Sequence, residues 1–402
     1  MLWIPRPGFT TIPEVLLPYH VALPRIMKVG AGAVQELGDV VAELGARRPL
    51  IVTDPFMQKS GTADIALQAL RESGFEAAVF AGTVPDPTTD SLVAGLDAVR
   101  LHEADVLIGF GGGSSIDTAK ALGLMSMQGG PMRQYKAPRR NIGPSLPVVA
   151  VPTTAGSGSE ATQFSIISDS ETNEKMLCAG PAFLPSAAVV DYELTLSMPA
   201  RLTADTGVDA LTHAIEAYVS RKNNPFSDGF ALAAITAIGR NLRIVCKDGS
   251  KREAREAMML AATQAGIAFS NSSVALVHGM SRPLGAHFHI AHGLANAMLF
   301  PAVTEFSIRG AEGRYADCAR ALGVAGPHDD DATAAKALVV ELHALNEDLD
   351  VPTPRSYGIS SDDWHRLIPL MAEQALASGS PANNPVMPEA AEIEELYTKI
   401  YA

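Results

Sequence analysis

The chain has 402 residues, with 31 basic and 44 acidic side chains, a formal charge of −13, 47% apolar residues and 19% charged ones. This is the composition of a folded soluble chain with ample core-forming material, too long for one small module. The acidic balance excludes the basic face that nucleic acid or an anionic membrane requires, so a small-molecule ligand is the expected partner.

The opening stretch MLWIPRPGFTTIPEV lacks the basic and continuously apolar regions of a signal peptide, and no apolar run reaches the ~18 residues of a membrane span. From about residue 25 to 195, short β-type runs alternate with amphipathic stretches: RIMKVG, AVQELGDVVAEL, PLIVTD (49–54), ADIALQALRESG, AAVFAG, SLVAGLDAVRLHEA and DVLIGFGGG (105–113). The continuously apolar runs LPVVAVPTT (146–154) and AAVVDYEL (187–194) predict strands buried on both faces of a mostly parallel sheet. The first half therefore reads as an α/β domain, residues 1–198.

After Met198-Pro199 the pattern turns helical, through TADTGVDALTHAIEAYVS, SDGFALAAITAIGRNL, REAREAMMLAATQAGIAF, GLANAMLFPAVTEFS and ATAAKALVVELHALNEDL. Residues 199–402 are expected to form an all-α domain, with Thr203 or Asp205 capping its first helix. A ligand cleft is expected between the two domains. Cys178, Cys246 and Cys318 lie 68 and 72 residues apart, a spacing that suits no zinc knuckle, redox pair or disulfide framework, and a reduced cytoplasm is expected.

Two small-residue turns follow predicted strands. In GGGSSIDTAK (111–120), three glycines would let backbone N–H groups approach an anion, and the following helix adds its positive end, so a pyrophosphate would sit well there. The alternative is a plain glycine-rich turn. The second turn, PTTAGSGSEAT (152–162), concentrates the hydroxyls of Thr153, Thr154, Ser157 and Ser159. Upstream, Asp54 ends PLIVTD as either a ribose acceptor or an ordinary helix N-cap. It precedes the glycines by 57 residues, the reverse of the Rossmann fingerprint, so a different topology is implied.

Asp209 and His213 are four apart and share one helical face. The segment 274–296 adds His278, His287, His289 and His292, so five of the ten histidines fall at position 213 or within 278–292. One carboxylate with several imidazoles and no cysteine suits Fe(II), Zn or another divalent first-row metal. An Asp-x-x-x-His pair alone is more often a surface ion pair, but the apolar flanks here argue against it.

Assembled in order, TD at 53–54, GGGSSIDTAK, PTTAGSGSEAT, GVDALTHAIEAY and HGMSRPLGAHFHIAHGLANAMLFP resemble the iron-dependent (group III) alcohol dehydrogenases over essentially the whole chain. The resemblance implies an N-terminal α/β domain for the nicotinamide cofactor and a C-terminal helical domain for the metal. It implies Asp209, His213, His278 and His292 as ligands of Fe(2+), with Zn(2+) as the other candidate. Gly111, Gly112, Gly113 and Ser114 would hold the NAD pyrophosphate with Asp117 beside them, and Thr153, Thr154, Ser157 and Lys175 would line the cofactor cleft. Ser157 replaces the family's usual threonine and keeps the hydroxyl.

Arg282 stands where many members carry a second histidine proposed to shuttle the alcohol proton. A guanidinium cannot exchange protons near neutral pH, so the proton would leave by His287, His289 or water. The spacing of four puts Arg282 on the face of His278, and Pro283 is expected to end the regular helix. Arg282 would either attract substrates with an anionic tail or pair with a structural carboxylate near the domain junction.

The implied function is NAD-dependent, metal-assisted, reversible oxidation of a primary or short-chain alcohol, by a dimer or higher homo-oligomer. Within the same fold the alternatives are a zinc-dependent polyol dehydrogenase and an ω-hydroxycarboxylate dehydrogenase. A metal-dependent hydrolase would leave the glycine loop and Asp54 without a purpose, and a non-catalytic nucleotide-binding protein would need no metal.

Overall fold

The computed structural model describes residues 18–172 and 174–402, so the opening MLWIPRPGFTTIPEV stretch, apart from its sequence, lies outside the described residues. Among the described residues, eight strands and fourteen α-helices follow one another. The first part contains β1 (Ile26–Val29), α1 (Leu37–Glu43), β2 (Pro49–Val52), α2 (Pro55–Lys59), α3 (Thr62–Glu72), β3 (Ala78–Phe80), α4 (Ser91–Leu101), β4 (Val106–Gly111), α5 (Gly113–Gln128), β5 (Val148–Pro152), β6 (Phe164–Ser168), β7 (Lys175–Ala179) and β8 (Ala187–Val190). Six of these strands form a sheet in the order β1-β8-β5-β4-β2-β3, and every pairing in it is parallel.

Side chains alternate across this sheet, as the two-residue period of a strand requires. Ile51, Ile108, Phe110, Val149 and Val151 face Val34, Val40 and Leu70 on one side, while Leu50, Val52, Leu107 and Val148 face Leu92, Val99 and Leu122 on the other. Both faces are covered, so β2, β4, β5 and β8 carry no exposed residue, and their continuous apolar runs follow from that.

The hairpin β6-β7 is an addition to the expected pattern. It pairs antiparallel, with Ser168 opposite Lys175, and it docks on the segment after β3 through Ser168 N–H to Pro87 O and Thr89 N–H to Ser168 O. Its short alternation of buried and half-buried residues carries less signal than the core strands.

From Ala200 onward the described residues are helical: α6 (Ala200–Val219), α7 (Pro225–Lys247), α8 (Arg252–Ser270), α9 (Leu276–Phe288), α10 (His292–Ser307), α11 (Glu312–Leu322), α12 (Asp331–Asp348), α13 (Ser361–Ala377) and α14 (Ala390–Ile400). Helix α6 is buried along nearly its whole length and forms the axis around which α7, α8 and α10 pack. Among the described residues α7 alone is long and apolar enough to cross a membrane, yet Ala231, Ile235, Ile238 and Leu242 on its inner face belong to this helical core.

Two sequence expectations are corrected. Thr203 and Asp205 do not cap α6, because the helix starts directly after Pro199, whose extended backbone is the N-cap. Both residues are inside it, with Thr203 Oγ1 accepting from Arg255 and Asp205 paired with Arg201. Pro283 does not end α9, which continues through Phe288. The proline removes one backbone donor, but packing of the buried face, Leu276, Met280 and Leu284, holds the helix together.

Candidate active site

The carboxyl ends of β2, β4 and β5 lie side by side, with Val52 opposite Gly109 and Gly111 opposite Pro152. The turn after β4 therefore meets the turn after β5, and Thr153 N–H donates to Gly111 O at 2.9 Å. Gly111 has φ +145°, and a Cβ on it would stand 2.6 Å from Ser115 Oγ, so only glycine suits this turn. Gly112 faces the Thr154 side chain and Gly113 faces Ser157, with Ser114 in the first turn of α5. Buried Thr153 Oγ1 has no hydrogen-bond partner. The cradle thus gathers Gly111, Gly112, Gly113, Ser114, Thr153, Thr154 and Ser157 at a helix N-terminus, the setting in which a pyrophosphate binds.

Asp54 is the N-cap of α2: its Oδ1 accepts from Phe56 and Met57 N–H at 2.8 and 3.0 Å. The cap uses one oxygen only, and Oδ2 faces Gly111 across the strand ends, 3.6 Å from where a Cβ would stand. Cap and ribose acceptor are therefore compatible roles for the one carboxylate.

Asp117 is hydrogen-bonded through both of its oxygens. Its Oδ1 accepts from Ser159 Oγ at 2.6 Å and its Oδ2 from Ile166 N–H at 2.8 Å, so both oxygens tie α5 to the 159–166 loop. Lys120, which sequence reasoning missed, completes this anchor. It is fully buried and donates to Ser159 Oγ, Thr162 O, Thr162 Oγ1 and Phe164 O at 2.7–3.1 Å. Burial pushes its ammonium down to about 8, against the opposing pull of Asp117 and Glu160. Its spacing of three from Asp117 on α5 was the available signal.

The second half of the site is built on three helices. Asp209 and His213 sit one turn apart on α6, His278 in the first turn of α9, and His292 at the first position of α10. One ligand atom from each lies within 4.8 Å of the others. From Asp209 Oδ1, the Nε2 atoms of His213, His278 and His292 are 3.9, 3.6 and 3.7 Å away. Tetrahedral bonds of about 2.1 Å put ligand atoms about 3.4 Å apart, so a small contraction would seat a divalent ion.

The environment keeps Asp209, His213 and His292 in ligating form. Burial pushes the His213 imidazole down to about 3 despite the neighbouring Asp209 carboxylate, and desolvation of the His292 ring where it meets the cluster, together with the charges of His278, Lys175 and Arg282, brings that imidazole down to about 4, so both keep free lone pairs at neutral pH. Burial alone would raise Asp209, but the surrounding imidazoles, His213 foremost, hold its carboxyl well below the usual range. His213 stacks between Phe269 and His278 at ring separations of 4.3 and 4.4 Å, which closes that side to water. The His292 side chain is 43% exposed, so the site opens there.

Three residues around the ligands were missed. Glu216, one α6 turn beyond His213, is buried and accepts from Ala275 N–H, Val277 N–H and His278 Nδ1 at 2.8, 2.6 and 2.7 Å. A carboxylate on Nδ1 fixes the tautomer that leaves Nε2 free for a metal. It also lifts His278 to about 8 along with Asp209, against the effect of burial. Asn296 points its Nδ2 among the ligands, 2.7 Å from Asp209 Oδ1 and 3.2 Å from His278 Nε2, where it occupies the place of a positive group. Its Oδ1 is buried without a hydrogen bond, and such a polar atom beside a cluster of ligand type fits a site completed by a cation. Gly293 lets α10 approach α6, because a Cβ there would stand 2.3 Å from Asp205 O.

Lys175 begins β7, pairs with Asp86 at 2.9 Å, and brings its ammonium beside Gly285 of α9. Arg282 lies one turn after His278 and touches Ser378 O at 3.5 Å. Burial lowers its guanidinium to about 10, and its charge together with that of Lys175 lowers His292. His287 Nε2 is engaged by Gln374 at 2.8 Å, and His289 is an exposed left-handed residue ending α9. The described contacts join neither to the ligand set.

Comparison with known proteins follows the same division. The family profile of iron-containing alcohol dehydrogenases matches residues 24–192, and the C-terminal profile of the Fe-containing alcohol dehydrogenase family matches residues 203–401. The chain is 37% identical to the NAD-dependent methanol dehydrogenase of Bacillus methanolicus, over 90% of this chain and 94% of that one. It is 35% identical to the 1,3-propanediol dehydrogenase of Klebsiella pneumoniae, over 95% and 99% of the two chains. A crystal structure of 1,3-propanediol oxidoreductase superposes with a TM-score of 0.92 at 34% identity, covering 96% of this chain and 100% of that one.

Proposed function

We propose a reaction for this chain from one premise: it belongs to the iron-containing alcohol dehydrogenase family, whose members are nicotinamide-dependent oxidoreductases. The reaction is the reversible oxidation of a primary or short-chain alcohol to its carbonyl compound, with NAD as hydride acceptor. The observation that carries it is the convergence of Asp209, His213, His278 and His292 from three helices onto one point. The similar proteins act, by their names, on methanol and 1,3-propanediol, which supports a small alcohol here.

In this reading residues 1–198 bind the cofactor and residues 199–402 hold the metal, a division supported by the end of β8 at Val190 and the start of α6 at Ala200. Gly111 to Ser114 receive the pyrophosphate, Thr153, Thr154, Ser157 and Lys175 line the cleft, and Asp54 Oδ2 accepts from the adenosine ribose. Asp117 and Lys120 act on the cofactor indirectly by anchoring the loop that carries Ser157. A bound Fe(2+) supplies Lewis acidity that lowers the pKa of the alcohol hydroxyl. His213 and His278 shield that point from water, Glu216 orients His278, and the open side at His292 admits substrate. Arg282 keeps its proton, so the hydroxyl proton leaves through solvent at this opening.

The three cysteines are free, which fits a cytoplasmic setting, and a dimer or higher homo-oligomer is proposed for the assembly. The test is NADH formation on adding ethanol, butanol or 1,3-propanediol to protein loaded with Fe(II). Turnover lost with chelator and restored by metal is the expected result. Failure of every alcohol with fully loaded protein contradicts the reading.

A further inference from the structure

The basic groups beside the ligand cluster are treated differently by the fold. Lys175 is neutralised by Asp86, at 2.9 Å. Arg282 is not: among the described residues it enters no ion pair, and its one hydrogen bond is the long contact of 3.5 Å to Ser378 O. The carboxylate whose charge it feels is Glu216, but both Glu216 oxygens are already taken by Ala275 N–H, Val277 N–H and His278 Nδ1. The expected pairing with a structural carboxylate is therefore not formed.

A guanidinium offers five N–H donors in a planar fork that matches a carboxylate with two parallel hydrogen bonds. Holding such a group half-buried, with one weak acceptor, is costly unless something else completes it. Its position says what that is. Arg282 follows His278 by four residues on the continuous helix α9, so its Cβ stands about 5–6 Å from that of the ligand. His292, the ligand on the open side of the site, is 43% exposed. A substrate whose reacting oxygen lies at the ligand cluster would, after a few carbons, meet this fork.

We infer that Arg282 receives the tail of the substrate, and that the cleft selects short alcohols and aldehydes whose far end carries a carboxylate. The inference rests on the alcohol dehydrogenase reading and narrows its substrate class. The chemistry at the near end is unchanged: the carbinol carbon gives a hydride to NAD, the hydroxyl gives its proton to solvent, and the carboxylate passes through intact. Lys175, already paired, cannot take this role without breaking its bond to Asp86.

The test compares butan-1-ol with 4-hydroxybutanoate, which share chain length and differ in the far end. Metal-loaded wild type is expected to show a kcat/KM for the hydroxy acid about tenfold or more above that for the alcohol. In Arg282→Met the ratio of the two kcat/KM values should fall by about tenfold or more, and Arg282→Lys should restore part of it. A binding readout accompanies it: butanoate should raise the Tm of wild type more than that of Arg282→Met. A wild type that prefers butan-1-ol, a ratio that does not move on substitution, or a loss confined to the KM for NAD would each overturn the inference. Oxidation of butan-1-ol in those cases leaves the dehydrogenase reading standing, whereas failure of these compounds together with ethanol and 1,3-propanediol removes the reading itself.

Discussion

Replacing Glu216 with glutamine keeps shape and volume but removes one negative charge from a buried position that accepts three hydrogen bonds, from Ala275, Val277 and His278. Glu216 Oε1 accepts from Val277 N–H while Oε2 accepts from both Ala275 N–H and His278 Nδ1, so a glutamine NH2 group opposes either Val277 N–H alone or Ala275 N–H together with His278. With the NH2 in the Oε2 place it strands Ala275 N–H and donates to His278 Nδ1, which moves the imidazole proton to Nε2 and blocks the lone pair a metal needs; with the NH2 in the Oε1 place Val277 N–H is stranded and His278 Nδ1 keeps only a neutral acceptor. Hydrogen bonds to a charged acceptor contribute about 1 kcal/mol more than neutral ones, so three of them put the stability loss near 3 kcal/mol, within a total of about 5–15. The second effect is on the metal: loss of such an outer partner costs about 10–100-fold in affinity, or about 1.4–2.7 kcal/mol. The assay is a competitive titration of Fe(II) or Zn(II) against a chelator, with circular dichroism to confirm folding. Glu216→Gln binding metal as tightly as wild type would refute the role given to Glu216.

Other outcomes follow from the same geometry. Asp54→Gly should relax the preference for NAD over NADP measured by kcat/KM, since the carboxylate at the strand end would repel the extra phosphate; a wild type that uses both equally leaves Asp54 as a helix cap alone. Lys120→Met should lower stability by about 3–5 kcal/mol in denaturant titration, because Asp117 and the carbonyls of Thr162 and Phe164 lose their buried cation; an unchanged midpoint would show the anchor to be unnecessary. With metal chelated, the depressed values of about 3 for His213 and about 4 for His292 mean that the unfolded chain takes up protons first as pH falls. Tm should accordingly decline from pH ~6.5 toward ~4, while the His278 contribution, with its raised value of about 8, is present below pH ~6.5 and lost as pH rises through 8. A Tm flat across the acid window would contradict the burial of neutral imidazoles.

The parts of the molecule legible in its sequence are those whose signal is local. Strands β2, β4, β5 and β8 are buried on both faces and therefore read as unbroken apolar runs, and the turns after β4 and β5 announce themselves by glycine and hydroxyl content. Asp209 and His213 share a helix face by spacing alone. What was not legible depends on which elements meet. Glu216 continues the face of Asp209 and His213, but it acquires its role only because the first turn of α9 delivers two N–H groups and His278 to it. Gly293 and Asn296 matter because α10 lies against α6, a contact no periodicity encodes. Asp117 likewise gains its partners from distant elements, since β6 and the loop before it bring Ser159 and Ile166 to its two oxygens. Pro283 shows local chemistry overridden by packing, since the buried face of α9 holds the helix past a residue that weakens it.

The central claim is that Asp209, His213, His278 and His292 hold one catalytic metal. The most direct measurement is anomalous diffraction at the iron edge from crystals grown with Fe(II) under anaerobic conditions. The account predicts one strong peak per chain, bonded to Asp209 and to the Nε2 atoms of the three histidines, and its disappearance in His278→Ala. A peak held by other residues, or no peak here in protein that oxidises alcohols, would contradict it.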